Sequence, residues 1–218
     1  MGKDMVWYAL YDAMQKEQCP ICELVIKGTL QSIESFLYEG VNDRALRSEI
    51  CSANGFCSHH AYMMMKKGDP LAHALIYGDL LNRAIDFSNS SNNKGQNSSR
   101  PSNKCLFCSQ ANASEKIYIE AFTNAFGDEK FSEKYSKGGL LCMPHLNMIQ
   151  NFNKKPNISK IKEITLSKYE KLIHHLDEIK RKNDYRFSHE EWSKQEALAW
   201  KQVVYVLNSK IGGKFRTS

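Results

Sequence analysis

Apolar side chains recur along this chain with the three- and four-residue spacing of amphipathic helices. The first such run covers residues 7–14, and a second follows Cys19-Pro20 and stops at Gly40. Asp69-Pro70 combines an N-cap residue with a proline at the first helical position, so it predicts the start of a helix that runs through Ile85. The N-terminal half of the chain is therefore predicted to be helical.

The C-terminal half shows the same periodicity. It predicts a helix over residues 117–126 that ends at Gly127, and a long charged helix with an apolar stripe over residues 158–179. Ser188-His189-Glu190-Glu191 matches a capping box, which predicts a last helix that runs to Gly212. Because no run alternates between apolar and polar residues as a strand does, the predicted fold class is all-α.

One low-complexity stretch interrupts this pattern at residues 88–104, where 11 of 17 residues are Ser or Asn. Such a segment cannot bury enough apolar surface to offset its ordering entropy, so it is predicted to be a flexible linker. The chain is then predicted to contain a first helical half over 1–87, a second half over 105–157, and a long helical C-terminal segment over 158–218 that packs on the rest.

Each half contains the same arrangement of cysteine and histidine residues. In each, a Cys-x-x-Cys pair is followed by a Cys-x-x-His pair, after 34 residues in the first half and 33 in the second. Two such pairs supply the four ligands of a closed tetrahedral zinc site, which is typical of structural zinc. The spacing therefore predicts two Cys₃His metal knuckles at helix N-termini. The predicted ligands are Cys19, Cys22, Cys57 and His60 for one ion, and Cys105, Cys108, Cys142 and His145 for the other.

Comparison of the two copies resolves one ambiguity. His59 and His60 both follow Cys57, but only His60 keeps the register of His145, so His60 is the predicted ligand. Cys51 has no counterpart in the second copy, and we interpret it as a buried, inert thiol outside both sites, with a reactive thiol or an alternative ligand as the other possibility.

Two other chemistries compete with structural zinc. An iron–sulfur cluster on Cys₃His is a minor alternative, although a two-plus-two tetrahedral pattern favours zinc. Cys19-Pro20-Ile21-Cys22 is also similar to the active-site motif of glutaredoxin-like proteins, but that motif requires a βαβ context, which the helical pattern does not supply.

Composition and charge bear on the compartment of the protein, on the chemistry of its cysteines and on its partners. No signal peptide and no apolar run long enough for a membrane span is evident, which predicts a cytoplasmic protein. In a reducing compartment, seven cysteines favour metal or redox chemistry over disulfides. The net charge is +6, and the stretch from Phe152 onwards carries 15 Lys and Arg against 8 Asp and Glu. This basic third permits nucleic-acid binding as a second alternative, but a solvated helix face explains it equally well.

The motifs also resemble an uncharacterised prokaryotic family of unknown function. The similarity rests on Cys19-Pro20-Ile21-Cys22, Gly55-Phe56-Cys57-Ser58-His59-His60, Ala74-Leu75-Ile76-Tyr77, the second pair of motifs, and the closing Asp184-Tyr185-Arg186-Phe187 segment. It covers nearly the whole chain apart from the Ser/Asn-rich linker. The resemblance implies an intracellular protein with paired metal-binding elements, and it implies no activity.

These observations predict a zinc-binding helical protein that acts as a binding or scaffold module for a protein partner, without catalysis of its own. A redox-responsive zinc-thiolate or iron–sulfur protein is the first alternative.

Overall fold

A computed structural model describes residues 3–89, 105–151, 157–187 and 189–209. Within these ranges the chain forms ten α-helices and one short 3-10 helix, and it forms no strand. The predicted all-α fold class is therefore confirmed. The helices are α1 (Met5–Ala13), α2 (Pro20–Tyr38), α3 (Arg44–Ser52), α4 (Ser58–Lys67), α5 (Pro70–Asn89), α6 (Leu106–Ala125), α7 (Glu129–Lys137), α8 (Met143–Asn151), α9 (Asn157–Lys182) and α10 (Lys194–Asn208), and the 3-10 helix is Gly40–Asn42.

Aspartate side chains fix several helix starts. The Asp69 carboxylate accepts a hydrogen bond from Ala72 N at 2.9 Å, and α5 begins at Pro70 as predicted. Asp43 and Asp128 cap α3 and α7 in the same way. These carboxylates satisfy backbone N–H groups that have no partner within the helix.

Two helices begin elsewhere than predicted. Helix α6 starts at Leu106 rather than near residue 117, so it begins directly after Cys105 and has Cys108 in its first turn. The predicted capping box begins at Ser188, which lies outside the described residues. Instead, α10 starts after Ser193, whose side chain accepts from Glu196 N at 3.2 Å while the Glu196 carboxylate accepts from Ser193 N at 2.7 Å. Both Ser-x-x-Glu sequences fit a capping box, but only the second immediately precedes the amphipathic run.

Most of the predicted linker also lies outside the described residues, as does the predicted helix end at Gly212. The described chain divides into two compact units. Unit 1 comprises Met1–Val25 and Glu115–Ser218, and unit 2 comprises Ile26–Ser114. Helices α2 and α6 each contribute residues to both units. The predicted division into sequential halves stays a prediction.

Unit 1 has an aromatic core around Phe122. Its ring makes edge-to-face contacts with Phe131 and Tyr135, at centroid distances of 5.5 and 5.3 Å. Helix α10 packs on α8 and α9 and supplies the buried Ala199 and Val206. Burial of such rings is the largest contribution to the stability of a small helical core.

Unit 2 has a separate core, also built on aromatic rings. Phe36, Phe56 and Phe107 contact one another, and Phe56 and Phe107 stack at 5.2 Å. Ile33, Met64 and Ile76 are fully buried around them. No helix in the described ranges is long and apolar enough to cross a membrane.

Candidate metal centres

The structure brings the eight predicted ligands together in two groups of four. Cluster 1 lies in unit 1 and consists of Cys19, Cys22, Cys142 and His145, all of them buried. His145 Nδ1 lies 3.2 Å from Cys19 Sγ, 3.4 Å from Cys22 Sγ and 3.0 Å from Cys142 Sγ. The sulfurs of Cys22 and Cys142 are 3.7 Å apart.

Cluster 2 repeats this geometry in unit 2 with Cys57, His60, Cys105 and Cys108. Here His60 Nδ1 lies 3.2 Å from Cys57 Sγ and 3.5 Å from the sulfurs of both Cys105 and Cys108. The Cys57 and Cys108 sulfurs are 3.6 Å apart. In both clusters the four ligand atoms lie within 4.8 Å of one another.

The pairing of the motifs differs from the prediction. The spacing predicts that each Cys-x-x-Cys shares a metal ion with the Cys-x-x-His that follows it in the same half, and this pairing is wrong. Each Cys-x-x-Cys instead meets the Cys-x-x-His of the other half. The reason is that each Cys-x-x-Cys opens a long helix, α2 or α6. A 19-residue helix is about 28 Å long, so it carries the chain away from the pair before the next motif is reached.

Every ligand pair is held by the start of a helix. Cys57 is the N-cap of α4, and Cys19, Cys105 and Cys142 immediately precede α2, α6 and α8. The carbonyl of each of these four residues accepts the first hydrogen bond of its helix, at 2.9–3.0 Å. The second ligand of each pair follows three residues later and returns to the same face. Two helix N-termini therefore point their positive dipole ends at each group of thiols, which stabilises thiolate charge.

Close backbone contacts position the motifs of cluster 1. Leu140 N donates to Gln18 O at 2.9 Å, which joins the segments that precede Cys142 and Cys19. A Cβ atom at Gly138 would lie 2.3 Å from Met14 O, so only glycine allows this approach.

Lys168 fastens the same loop. Its ammonium donates to the carbonyls of Tyr135, Gly138 and Gly139, with distances of 2.8 Å to the last two. The Tyr169 hydroxyl donates to Leu141 O at 2.8 Å. Helix α9 thus holds the loop that leads into Cys142.

Aromatic packing positions the motifs of cluster 2. Phe56 precedes Cys57, and Phe107 precedes Cys108, so the stacked rings of the unit 2 core adjoin a ligand on each side. Gly55 adopts a φ of +85°, a conformation that glycine reaches without strain, and this turn leads the chain into the Cys57-x-x-His60 pair.

Two side chains outside the predicted set contact cluster 1. Glu115 Oε1 lies 2.8 Å from His145 Nε2, and the Ser209 hydroxyl lies 3.2 Å from Cys22 Sγ. Sequence reasoning missed both residues. A signal for Glu115 existed, because it follows Cys108 by seven residues and so shares its helix face, but its use depends on the crossed pairing. Ser209 has no sequence signal that we can identify.

Burial and mutual hydrogen bonds shift the pKa values of the residues in cluster 1. Burial raises the pKa of Cys19 well above its usual value. Hydrogen bonds with Cys142 and Cys19 lower the pKa of Cys22 despite burial. For His145, burial lowers the pKa, but hydrogen bonds with Cys142, Cys22 and Glu115 together raise it well above the usual value.

In cluster 2, too, the pKa of one cysteine is lowered while that of another is raised. Hydrogen bonds with Cys108 and Cys57 lower the pKa of Cys105, while hydrogen bonding to Cys105 raises that of Cys108. Burial lowers the pKa of His60, but hydrogen bonds with Cys105 and Cys57 raise it to about 9. In each cluster, therefore, one thiol loses its proton more readily than usual and another holds it more tightly.

The ligand separations fit a single metal ion. A tetrahedral ion with Zn–S of about 2.3 Å and Zn–N of about 2.0 Å places its ligands about 3.5–3.8 Å apart. The observed separations of 3.0–3.7 Å are close to this value. They are far longer than the roughly 2.05 Å of a disulfide bond. The two residues that the sequence left outside the ligand sets, Cys51 and His59, belong to neither group, and Cys51 is half-buried rather than buried as interpreted.

Comparison with known proteins adds the family. The model of a family of unknown function, DUF6062, matches residues 1–211. The chain belongs to this family. It is 33% identical over 205 residues to an "Uncharacterized 23.9 kDa protein in xynA 3'region" from Caldicellulosiruptor sp. strain Rt8B.4. The match covers 89% of this chain and 97% of that protein. No solved structure matches. The resemblance to a family of unknown function is confirmed.

Proposed function

We propose that this chain binds two zinc ions, one in each cluster, and acts as a metal-stabilised helical scaffold or binding module without catalysis of its own. The observation that carries the proposal is the presence of two Cys₃His groups, each with its four ligand atoms within 4.8 Å of one another. Each group supplies a full tetrahedral set, so a bound ion has no open position for water or substrate. Closed sites of this kind are typical of structural zinc.

Zinc fits the clusters better than an iron–sulfur cluster does. The ligands of a multi-iron cluster bind different iron atoms and are therefore spread over a larger centre. The sulfurs of Cys22 and Cys142 are only 3.7 Å apart, and those of Cys57 and Cys108 only 3.6 Å, which suits one central ion. Thiolate and imidazole ligands in a tetrahedral arrangement favour zinc.

Each ion would join segments that are distant in sequence. In cluster 1, the residues that meet are 120 to 126 positions apart. In cluster 2, Cys57 and Cys108 are 51 positions apart. Because the unfolded chain lacks a preformed site, the free energy of metal binding contributes directly to folding, at about 10–16 kcal/mol for structural zinc in small domains. The metal therefore has an architectural role in each unit.

The basic C-terminal third gives little support to nucleic-acid binding. Several of its cationic side chains already bind acceptors within the protein. Lys180, Arg181, Lys182 and Arg186 pair with carboxylates, and Lys168 donates to three carbonyls. A phosphate backbone would have to compete with these partners. We therefore favour a protein partner for the scaffold.

Metal analysis of the purified full-length chain tests the proposal. We expect two zinc ions per chain and a colourless protein. Cys22→Ser and Cys108→Ser should each lower the content to one ion and lower the melting temperature. Cys51→Ser is the matched control and should retain both ions. Full metal content and parent-like melting of both ligand variants would contradict the proposal, as would a visible absorption spectrum of iron.

A further inference from the structure

The two clusters differ in the accessibility of their thiols. In cluster 1 the three cysteines are 1–7% exposed. In cluster 2 only Cys105 is buried to that extent, at 1%, whereas Cys57 and Cys108 are half-buried. Two cysteine residues of cluster 2 are therefore partly open to solvent, while the protein covers all three of cluster 1. Access is one of the two factors that set the oxidation of a cysteine.

The histidine of cluster 1 has a further partner. In cluster 1, Glu115 binds the outer nitrogen of His145 at 2.8 Å, and such a carboxylate strengthens histidine as a metal ligand. Glu115 follows Cys108 by seven residues in α6. The position seven residues after Cys22 in α2 is Thr29, a buried neutral residue of unit 2. The matching position of α2 thus carries no carboxylate.

A third difference concerns the sulfur itself. The Ser209 hydroxyl lies 3.2 Å from Cys22 Sγ and donates to it when Cys22 is a thiolate. A donated hydrogen bond withdraws electron density from sulfur, and so lowers its reactivity towards an electrophile. Burial, the carboxylate and this hydroxyl all protect cluster 1.

We propose that cluster 2 is an oxidation site, at which a hydroperoxide converts Cys57 and Cys108 to a disulfide and releases the metal, while cluster 1 keeps its ion. This inference rests on the proposed function, since it requires metal in both clusters. The sulfurs of Cys57 and Cys108 are 3.6 Å apart, so they must approach by about 1.6 Å to reach disulfide length.

The chemistry balances with the hydroperoxide as the only oxidant. One thiolate attacks the peroxide, the O–O bond breaks, and a sulfenic acid and an alcohol form with uptake of one proton. The second thiolate then attacks the sulfenic sulfur, which forms the S–S bond and releases the hydroxyl group as water with a second proton. The two sulfurs lose two electrons, and zinc leaves as Zn²⁺ without a change of oxidation state. A dithiol reduces the disulfide back to two thiols by exchange and is itself oxidised, so that cluster 2 can bind zinc again.

The test uses the full-length chain loaded with two zinc ions, in a Cys51→Ser background that removes the half-buried thiol outside the clusters. Hydroperoxide is added in limiting amount, zinc release is followed with a colorimetric chelator, and the thiols are located by peptide mapping. We expect one of the two ions to leave at least tenfold faster than the other, together with a peptide that links Cys57 to Cys108. A dithiol and added zinc should restore two ions per chain.

A Cys22→Ser variant isolates cluster 2 and should retain the fast release alone. The opposite substitution, Cys108→Ser, should leave only slow release. Equal rates for the two ions, earlier loss from cluster 1, or resistance of both clusters would overturn the inference and leave the proposed function intact. A chain that binds fewer than two zinc ions would overturn the proposed function itself.

Discussion

Glu115 Oε1 lies 2.8 Å from His145 Nε2, and the other nitrogen of the same ring faces three sulfurs at 3.0–3.4 Å. The carboxylate therefore fixes which nitrogen of His145 carries the proton and how the ring is oriented, without being a metal ligand itself. This contact depends on the crossed pairing of the motifs, because Glu115 belongs to the helix that begins in the other cluster.

Loss of the Glu115 carboxylate should weaken cluster 1 selectively. We expect Glu115→Gln to lower the zinc affinity of cluster 1 by about 10–100-fold. Cluster 2 should be unaffected. Competition with a chelator of known affinity measures the effect. Glu120→Gln is a matched control, since Glu120 is an exposed residue on the same helix. Equal affinities for Glu115→Gln and the control would show that the contact does not tune the site.

Loss of the Lys168 ammonium should destabilise unit 1. Lys168→Met removes the donor of three backbone carbonyls in the loop before Cys142. Because the variant takes the ammonium donor away from these carbonyls, we expect the free energy of unfolding to fall by about 2–4 kcal/mol. Denaturant titration of the zinc-loaded chain measures it. Lys171→Met, an exposed neighbour on α9, should change stability by less than about 0.5 kcal/mol. A similar loss in both variants would contradict the assignment.

Two glycine substitutions should have opposite effects on the stability of the protein. Gly138→Ala would place a Cβ 2.3 Å from Met14 O, a backbone atom that cannot move aside easily. We expect a loss of about 3 kcal/mol in unfolding free energy, at the upper end for overpacking. Gly78 lies inside α5, where a Cβ would meet nothing within 4 Å. Gly78→Ala should therefore stabilise the protein by about 0.5–1 kcal/mol. Thermal melting compares the two, and stabilisation by Gly138→Ala would refute the close approach.

The buried hydroxyl of Tyr169 should contribute to the free energy of unfolding at neutral pH, and this contribution should be lost at alkaline pH. Burial raises the pKa of Tyr169 above its usual value near 10, so the folded state keeps its proton where the unfolded state releases it. Its stabilisation is therefore fully present below pH 10 and decreases as the pH rises from about 10 towards the folded pKa. The stability difference between the parent and Tyr169→Phe should shrink over that range. Denaturant titrations at pH 8 and at pH 11 measure it, and a difference that grows with pH would contradict the assignment.

The sequence was sufficient for the all-α class, for the start of α5 and for the ligand types, because their signals are local, but not for the starts of α6 and α10. Helix α5 could be predicted from Asp69-Pro70, and the Cys-x-x-Cys and Cys-x-x-His pairs are read from four adjacent residues each. The choice of partner for each pair was not local. Two copies of one motif can combine within halves or across them, and only the lengths of α2 and α6 in three dimensions decide between these arrangements.

The supporting contacts were out of reach for the same reason. Glu115 acts on a histidine 30 positions away, and Ser209 lies 187 positions from Cys22. The start of α10 illustrates a different difficulty. Two Ser-x-x-Glu sequences lie five residues apart, and the residue spacing alone fits both equally well.

The central claim is that two metal ions bind through crossed pairs of motifs. Loading the chain with an NMR-active cadmium isotope tests it directly, because scalar couplings identify the cysteine and histidine protons attached to each ion. We predict two cadmium resonances, one coupled to Cys19, Cys22, Cys142 and His145, and the other coupled to Cys57, His60, Cys105 and Cys108. A single resonance, or an ion coupled to both Cys22 and Cys57, would contradict this account.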